Sequence, residues 1–231
     1  MMISATPANG STTTTSTSTT TSISTTTSTS STTTTTTLPP EALEQVYELE
    51  LQGADSVSEL INPSGANGTA THFGGEINLF AETFGFEGPI AAWSSFRWNI
   101  PEAAWTLLGP RPQLVVVLDY GYSVMLSTGP NPGRDAVFNF TVTAWNEGAP
   151  LGEGTGLIVA IAAGDATNQQ QSDTTGFGTP LPEEASGPIG ILLEASCSVG
   201  PGSTIFQIGE SSRCEAQFLP TIQVTLTRTE G

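Results

Sequence analysis

Between Ser11 and Thr37 every residue is Ser or Thr except Ile23, and the tract carries no charge. Such a segment has no apolar surface to bury against the entropy of ordering it, so it predicts an extended, solvated tether. Leu38-Pro39-Pro40 closes the tract, completing the pattern of a Ser/Thr-rich stalk of the kind that carries O-glycans outside the cell. Any fold must come from the residues after Pro40. The expected organisation is a disordered linker or stalk over 1–40 and one domain over 41–231, about 190 residues, which is ample for a hydrophobic core.

Within that domain the dominant signal is short β-type runs separated by Gly, Pro, Asn and Ser. Glu41–Gln45 reads as a short helical turn. In Val46–Gln52, Tyr47, Leu49 and Leu51 alternate with Glu48, Glu50 and Gln52, giving a strand with one wet face. Ile77–Phe86, Ile90–Ile100 and the continuous apolar run Leu114–Tyr120 come next. Tyr122–Ser127 is expected to pair back on that run around Tyr120-Gly121. Val137–Trp145 alternates cleanly, while Leu157–Ala163 is apolar on both faces and is expected inside. Ile189–Ser196, Thr204–Ile208 and Cys214–Thr227 complete the series, with Pro220 marking a bulge or edge position. These runs predict an all-β fold, an antiparallel two-sheet β-sandwich, with jelly-roll and Ig-like topologies both open.

Charge narrows the partners. The chain has 22 acidic residues and five cationic ones, all arginine, for a net charge of −17. That field repels phosphate, which argues against nucleic acid and anionic membrane surfaces and suits divalent cations or neutral glycans. No stretch approaches the roughly 18 apolar residues of a transmembrane segment. Met1–Gly10 lacks the basic start and apolar run of a signal peptide. Cys197 and Cys214, the only cysteines, predict one disulfide in an extracellular or cell-surface setting; two separate buried thiols is the other reading.

The closing stretch Arg213-Cys214-Glu215-Ala216-Gln217-Phe218-Leu219-Pro220-Thr221-Ile222-Gln223-Val224-Thr225-Leu226 resembles a recurrent ending of bacterial exported β-sandwich proteins of the PEP-CTERM-associated type. That resemblance implies a structural or matrix role rather than a catalytic one. The sorting tail of that group does not follow at Gly231.

Four sets of residues invite a chemical reading. Trp93, Trp98, Trp105 and Trp145 are candidates for a glycan platform, since sugar rings stack on aromatic faces; packing in the core is the alternative for most of them. Trp93 and Trp98 differ by an odd number and so face opposite sides of one strand. Asp165, Asn168 and Asp173 offer hard oxygen donors for calcium in a long polar loop, without EF-hand spacing, and Asp119 and Asp135 flank other loops. Calcium is thus the one candidate cofactor. Asn67 and Asn139 head N-glycosylation sequons. His72 stands alone, and Glu76 with Glu82, or Glu48 with Glu50, share strand faces as paired carboxylates would in a glycosidase.

The function these features predict first is a non-enzymatic, extracellular or cell-surface structural or adhesive protein. It self-associates, or joins a matrix, through strand edges. A carbohydrate-binding module using surface tryptophans is the alternative, and a glycan-acting hydrolase with paired carboxylates the third reading.

Overall fold

The computed structural model describes residues 44–61, 66–84, 88–109, 111–130, 135–156, 159–200 and 211–228. Two antiparallel sheets account for nearly all of them, so the protein is a two-sheet β-sandwich. The first sheet runs β10 (Ala166–Pro180), β6 (Gln113–Ser127), β12 (Ser211–Thr227), β4 (Glu76–Phe84) and β3 (Asn67–Phe73). β1 (Glu44–Leu49) joins it beside the second half of β12. The second sheet runs β2 (Asp55–Ile61), β5 (Ile90–Ile100), β11 (Ile189–Val199), β7 (Ala136–Asn146) and β8 (Ala149–Thr155), with β9 (Val159–Ile161) against the start of β7. One 3-10 turn (Leu51–Gly53) and one short helix, α1 (Glu102–Thr106), are the helical elements among the described residues. Neither is long or apolar enough to cross a membrane.

The alternation seen in the sequence sets the two inner faces. Leu114, Val116, Leu118, Tyr120, Tyr122, Val124 and Leu126 of β6 are all buried, as are Cys214, Ala216, Phe218, Ile222, Val224 and Leu226 of β12. They meet Phe138, Phe140 and Val142 of β7 and Ile191, Leu193 and Ala195 of β11. Tyr120, Phe140 and Phe218 lock the layers at the centre, with ring centroids 4.5 Å apart for Tyr120–Phe140 and for Phe140–Phe218. Each such ring contributes roughly 2–3 kcal/mol by burial. The expected Cys197–Cys214 disulfide is formed, with Cα atoms 5.6 Å apart, and it staples β11 of one sheet to β12 of the other.

Several strands depart from expectation. Gln113–Ser127 is one continuous strand rather than a hairpin at Tyr120-Gly121: the even positions stay apolar straight through, and Gly121 simply falls on the outer face. Gln45 lies in β1 and not in a helical turn; residues 41–43 of that expectation lie outside the described residues. Val159 is buried but Ala160 is exposed, so the run expected inside supplies only a three-residue strand at a sheet margin. The expected strand Thr204–Ile208 lies outside the described residues. Pro220 belongs to a central strand. It sits where the flank of β12 passes from β4, which pairs to Phe218, to β1, which begins at Ile222. A missing N–H costs least at such a gap.

Candidate functional site

Two outward features stand apart from the regular sheet surface. The first lies on the outer face of the second sheet. Register across β5, β11 and β7 aligns Asn99, Gly190 and Trp145 in one row and Arg97, Leu192 and Thr143 in the next. Strands lie about 4.8 Å apart, so the outer members of the first row are separated by about 10 Å of backbone with no side chain rising from the strand between them. The result is a trough of ≈ 460 Å³ floored by Gly190 and lined by Arg97, Asn99, Trp145, Glu147 and Leu192.

The walls of this trough are fixed by local structure. The Trp145 indole N–H donates to Thr143 Oγ1 at 2.8 Å, two residues back on the same face, and the residue stays 37% exposed. β7 turns into β8 through Glu147-Gly148, both in the left-handed region (φ 48° and 84°) that a two-residue hairpin requires. Glu147 is not a glycine, so that geometry strains it, and its Oε1 is tied down by the Ser186 hydroxyl at 2.7 Å. Buried Asn146 holds the neighbouring segment, donating from Nδ2 to the carbonyls of Ser186 (2.7 Å) and Pro188 (3.3 Å).

The second feature is the edge of β10. It is hydrogen-bonded to β6 along its whole length and ends the first sheet; among the described residues no strand pairs with its other side, which runs beside β8 at Thr175–Phe177, where the Thr175 hydroxyl donates to the Thr155 carbonyl at 3.3 Å. Asn168 through Thr174 are exposed on both faces. Only Asp173 is charged in these fifteen residues. Beneath this strand, the Tyr122 hydroxyl donates to Gln171 Oε1 at 3.2 Å. Burial pushes the pKa of Tyr120 and Tyr122 above the ordinary tyrosine value, and the Asp173 carboxylate pushes both further the same way.

The four tryptophans separate. Trp98 and Trp105 are core residues, which removes them from a glycan platform. Trp98 packs on Phe96 and donates to the Glu50 carbonyl at 2.9 Å, while Trp105 is folded inward by α1. Trp93 faces outward, opposite to Trp98 as their odd spacing requires, and is half-buried. Trp145 is left as the exposed one.

The polar stretch read as a calcium loop is strand. Asp165 precedes β10 and Asn168 and Asp173 lie within it, on opposite faces; Asp165 and Asp173 are separated by roughly 26 Å of extended chain. Its Asn/Gln/Ser composition disguised a strand whose partner supplies the apolar character beside Asn168–Thr174. Asp119 is bonded instead to the Thr174 hydroxyl, and Asp135 stands at the start of β7. Among the described residues no three His, Cys, Asp or Glu side chains form a cluster that could hold a metal ion.

Glu76 and Glu82 share a face but stand roughly 20 Å apart along β4, too far for paired catalysis. Glu48 and Glu50 are fully on the surface. His72 lies exposed on β3, its Nε2 3.4 Å from Ser56 Oγ and its ring edge-on to Phe96. Asn67 is exposed at the start of β3, whereas Asn139 is half-buried on β7 and accepts a bond from the Ser196 hydroxyl.

Arg97, Asn99, Glu147 and Gly190 were not singled out by sequence reasoning. One signal was present: an isolated glycine inside an apolar strand pattern marks a close backbone approach or an open site. No known family model matches the sequence, and no curated protein matches it. Among solved structures, the chain is similar to one from the T13 particle of infectious bursal disease virus, at 17% identity and a TM-score of 0.28. That match covers 81% of this chain and 36% of the other, so the protein spans little more than a third of the length of the capsid chain. It is also similar to the CBM22-1–GH10 modules of Clostridium thermocellum xylanase 10B, at 14% identity and TM-score 0.20, covering 81% and 28% of the two chains. The C-terminal family 22 carbohydrate-binding module of that enzyme matches at 9% identity and TM-score 0.19, covering 72% and 90%. These likenesses are distant and extend no further than the β-sandwich.

Proposed function

We infer that the chain is a non-enzymatic structural or adhesive protein of the cell surface or extracellular space, a β-sandwich on a Ser/Thr stalk that assembles through a strand edge. The observation that carries this reading is β10: among the described residues no strand pairs with its outer edge, and Asn168–Thr174, ahead of the part that runs beside β8, are exposed on both faces. Proteins that stay monomeric blunt such edges with Lys, Pro or bulges, because an open ladder templates a second strand. β10 has no Lys and holds proline only at its last position, Pro180. The occupant it suits is a second copy of the same strand. Its near neutrality lets one polyanion approach another there, and side-by-side Asn and Gln side chains pair in ladders. The disulfide and the stalk composition support an oxidising, external setting.

Sedimentation of the full chain tests this. Concentration-dependent association is expected, strengthening from 0.1 to 1 M salt as the screening length falls from about 10 to about 3 Å around two copies of charge −17. Replacing Gln170 and Ser172 together by Lys is expected to weaken association at least about tenfold. A monomer at every concentration, or association indifferent to those lysines, overturns the reading.

A second reading, a carbohydrate-binding module, is favoured by one observation: Trp145 stays exposed beside a trough lined with polar groups.

A further inference from the structure

We propose that the trough over Gly190 binds a sugar bearing a carboxylate, a hexuronic acid unit of a glycan, with Trp145 against its apolar face and Arg97 on its carboxylate. This deepens the glycan-binding reading and is independent of the strand edge.

The glycine carries the first part of the argument. Gly190 lies in the middle of a sheet, where glycine weakens a strand. Its backbone is not in the left-handed region, and a Cβ placed there would meet nothing closer than 3.8 Å, from Arg97 and Asn99. Neither packing nor conformation demands a glycine. What its absence of side chain does leave is room between Asn99 and Trp145, which the Arg97 guanidinium and the Asn99 amide enter from the β5 side and which opens toward Trp145.

The walls carry the rest. An aromatic ring held by its own indole N–H bond, facing amide and carboxylate groups, matches the two surfaces of a sugar: an apolar ring face and a rim of hydroxyls. Asn99 can donate and accept, and Glu147, positioned by Ser186, accepts from hydroxyls through its remaining oxygen. Arg97 selects among sugars. Its guanidinium lies over the trough floor and forms no ion pair among the described residues, although Asp55 is its cross-strand neighbour on β2. In a chain with 22 acidic residues, an arginine left without a carboxylate is placed for one brought by a ligand. A planar guanidinium takes a carboxylate through two parallel bonds, a geometry no neutral hydroxyl pair reproduces as well.

The experiment is calorimetric titration of the full chain with hexagalacturonate and hexaglucuronate, and with the neutral hexamers of galactose and glucose. At 0.15 M salt, where the repulsion between a chain of charge −17 and an acidic glycan is screened beyond about 8 Å while the Arg97 contact is not, binding to a uronate at least tenfold tighter than to its neutral counterpart is expected. Gly190→Val raises a side chain from the trough floor, where its Cβ meets nothing closer than 3.8 Å, and should abolish binding while its melting temperature stays near the parent's. Trp145→Ala should weaken all binding, and Arg97→Gln should erase the preference for the acid while keeping weak neutral binding. Failure to bind either uronate, or undiminished binding by Gly190→Val, overturns the site. Equal affinity for acidic and neutral chains, unchanged in Arg97→Gln, overturns the role of the carboxylate.

Discussion

β6 and β10 are both fifteen residues long and pair with each other from end to end, Gln113 opposite Pro180 and Ser127 opposite Ala166. β6 buries every second side chain; β10 buries none completely. One strand is held by its own side chains, and the other borrows its conformation from its neighbour's backbone. A sheet therefore contains strands of two kinds, and only the first writes itself into an apolar pattern.

The sharpest way to test that contrast is by deletion on each side. Leu118→Ala in β6 removes a fully buried side chain and should cost about 2–5 kcal/mol in urea unfolding, whereas Gln170→Ala in β10 should stay within about 0.5 kcal/mol. Equal losses would mean that β10 is anchored as firmly as β6. The disulfide comes next. It binds β12, not β10, to the opposite layer, so replacing Cys197 and Cys214 by Ala should cost about 3 kcal/mol while leaving amide exchange in β10 fast in both proteins.

The smallest effect probes the seam between the two strands. Tyr120 and Tyr122 have folded-state pKa values raised above the ordinary 10.0, so their contribution is fully present below pH 10.0 and is lost as pH climbs through the raised values. Stability should decline above that point. Tyr122→Phe, which also removes the bond to Gln171, should flatten the decline.

The same contrast explains what the chain discloses before folding. The interior is legible because apolar residues recur every second position: Phe138, Phe140 and Val142, or Ile222, Val224 and Leu226, point to a buried face with no structure at hand. The disulfide follows from a count of two, and the opposed faces of Trp93 and Trp98 from parity. β10 is hidden because strand formation there depends on backbone pairing that no local composition encodes; its Asn-Gln-Gln-Gln run looks like a loop by any side-chain criterion. The trough is hidden for another reason. Asn99, Trp145 and Gly190 are far apart in the chain and meet only through the register of three strands, and register is a property of the sheet.

The way the sandwich is entered and left gives it a direction under tension. β1 and the end of β12 are antiparallel neighbours, with Glu44 directly opposite Thr227. A pull transmitted between the chain before Glu44 and the chain after Thr227 meets one end of that six-residue ladder and opens it a rung at a time, like a zipper. A pull taken through the edge of β10 runs along its fifteen paired residues and strains many bonds together, in shear. The same domain is thus compliant along its own chain and stiff along β10.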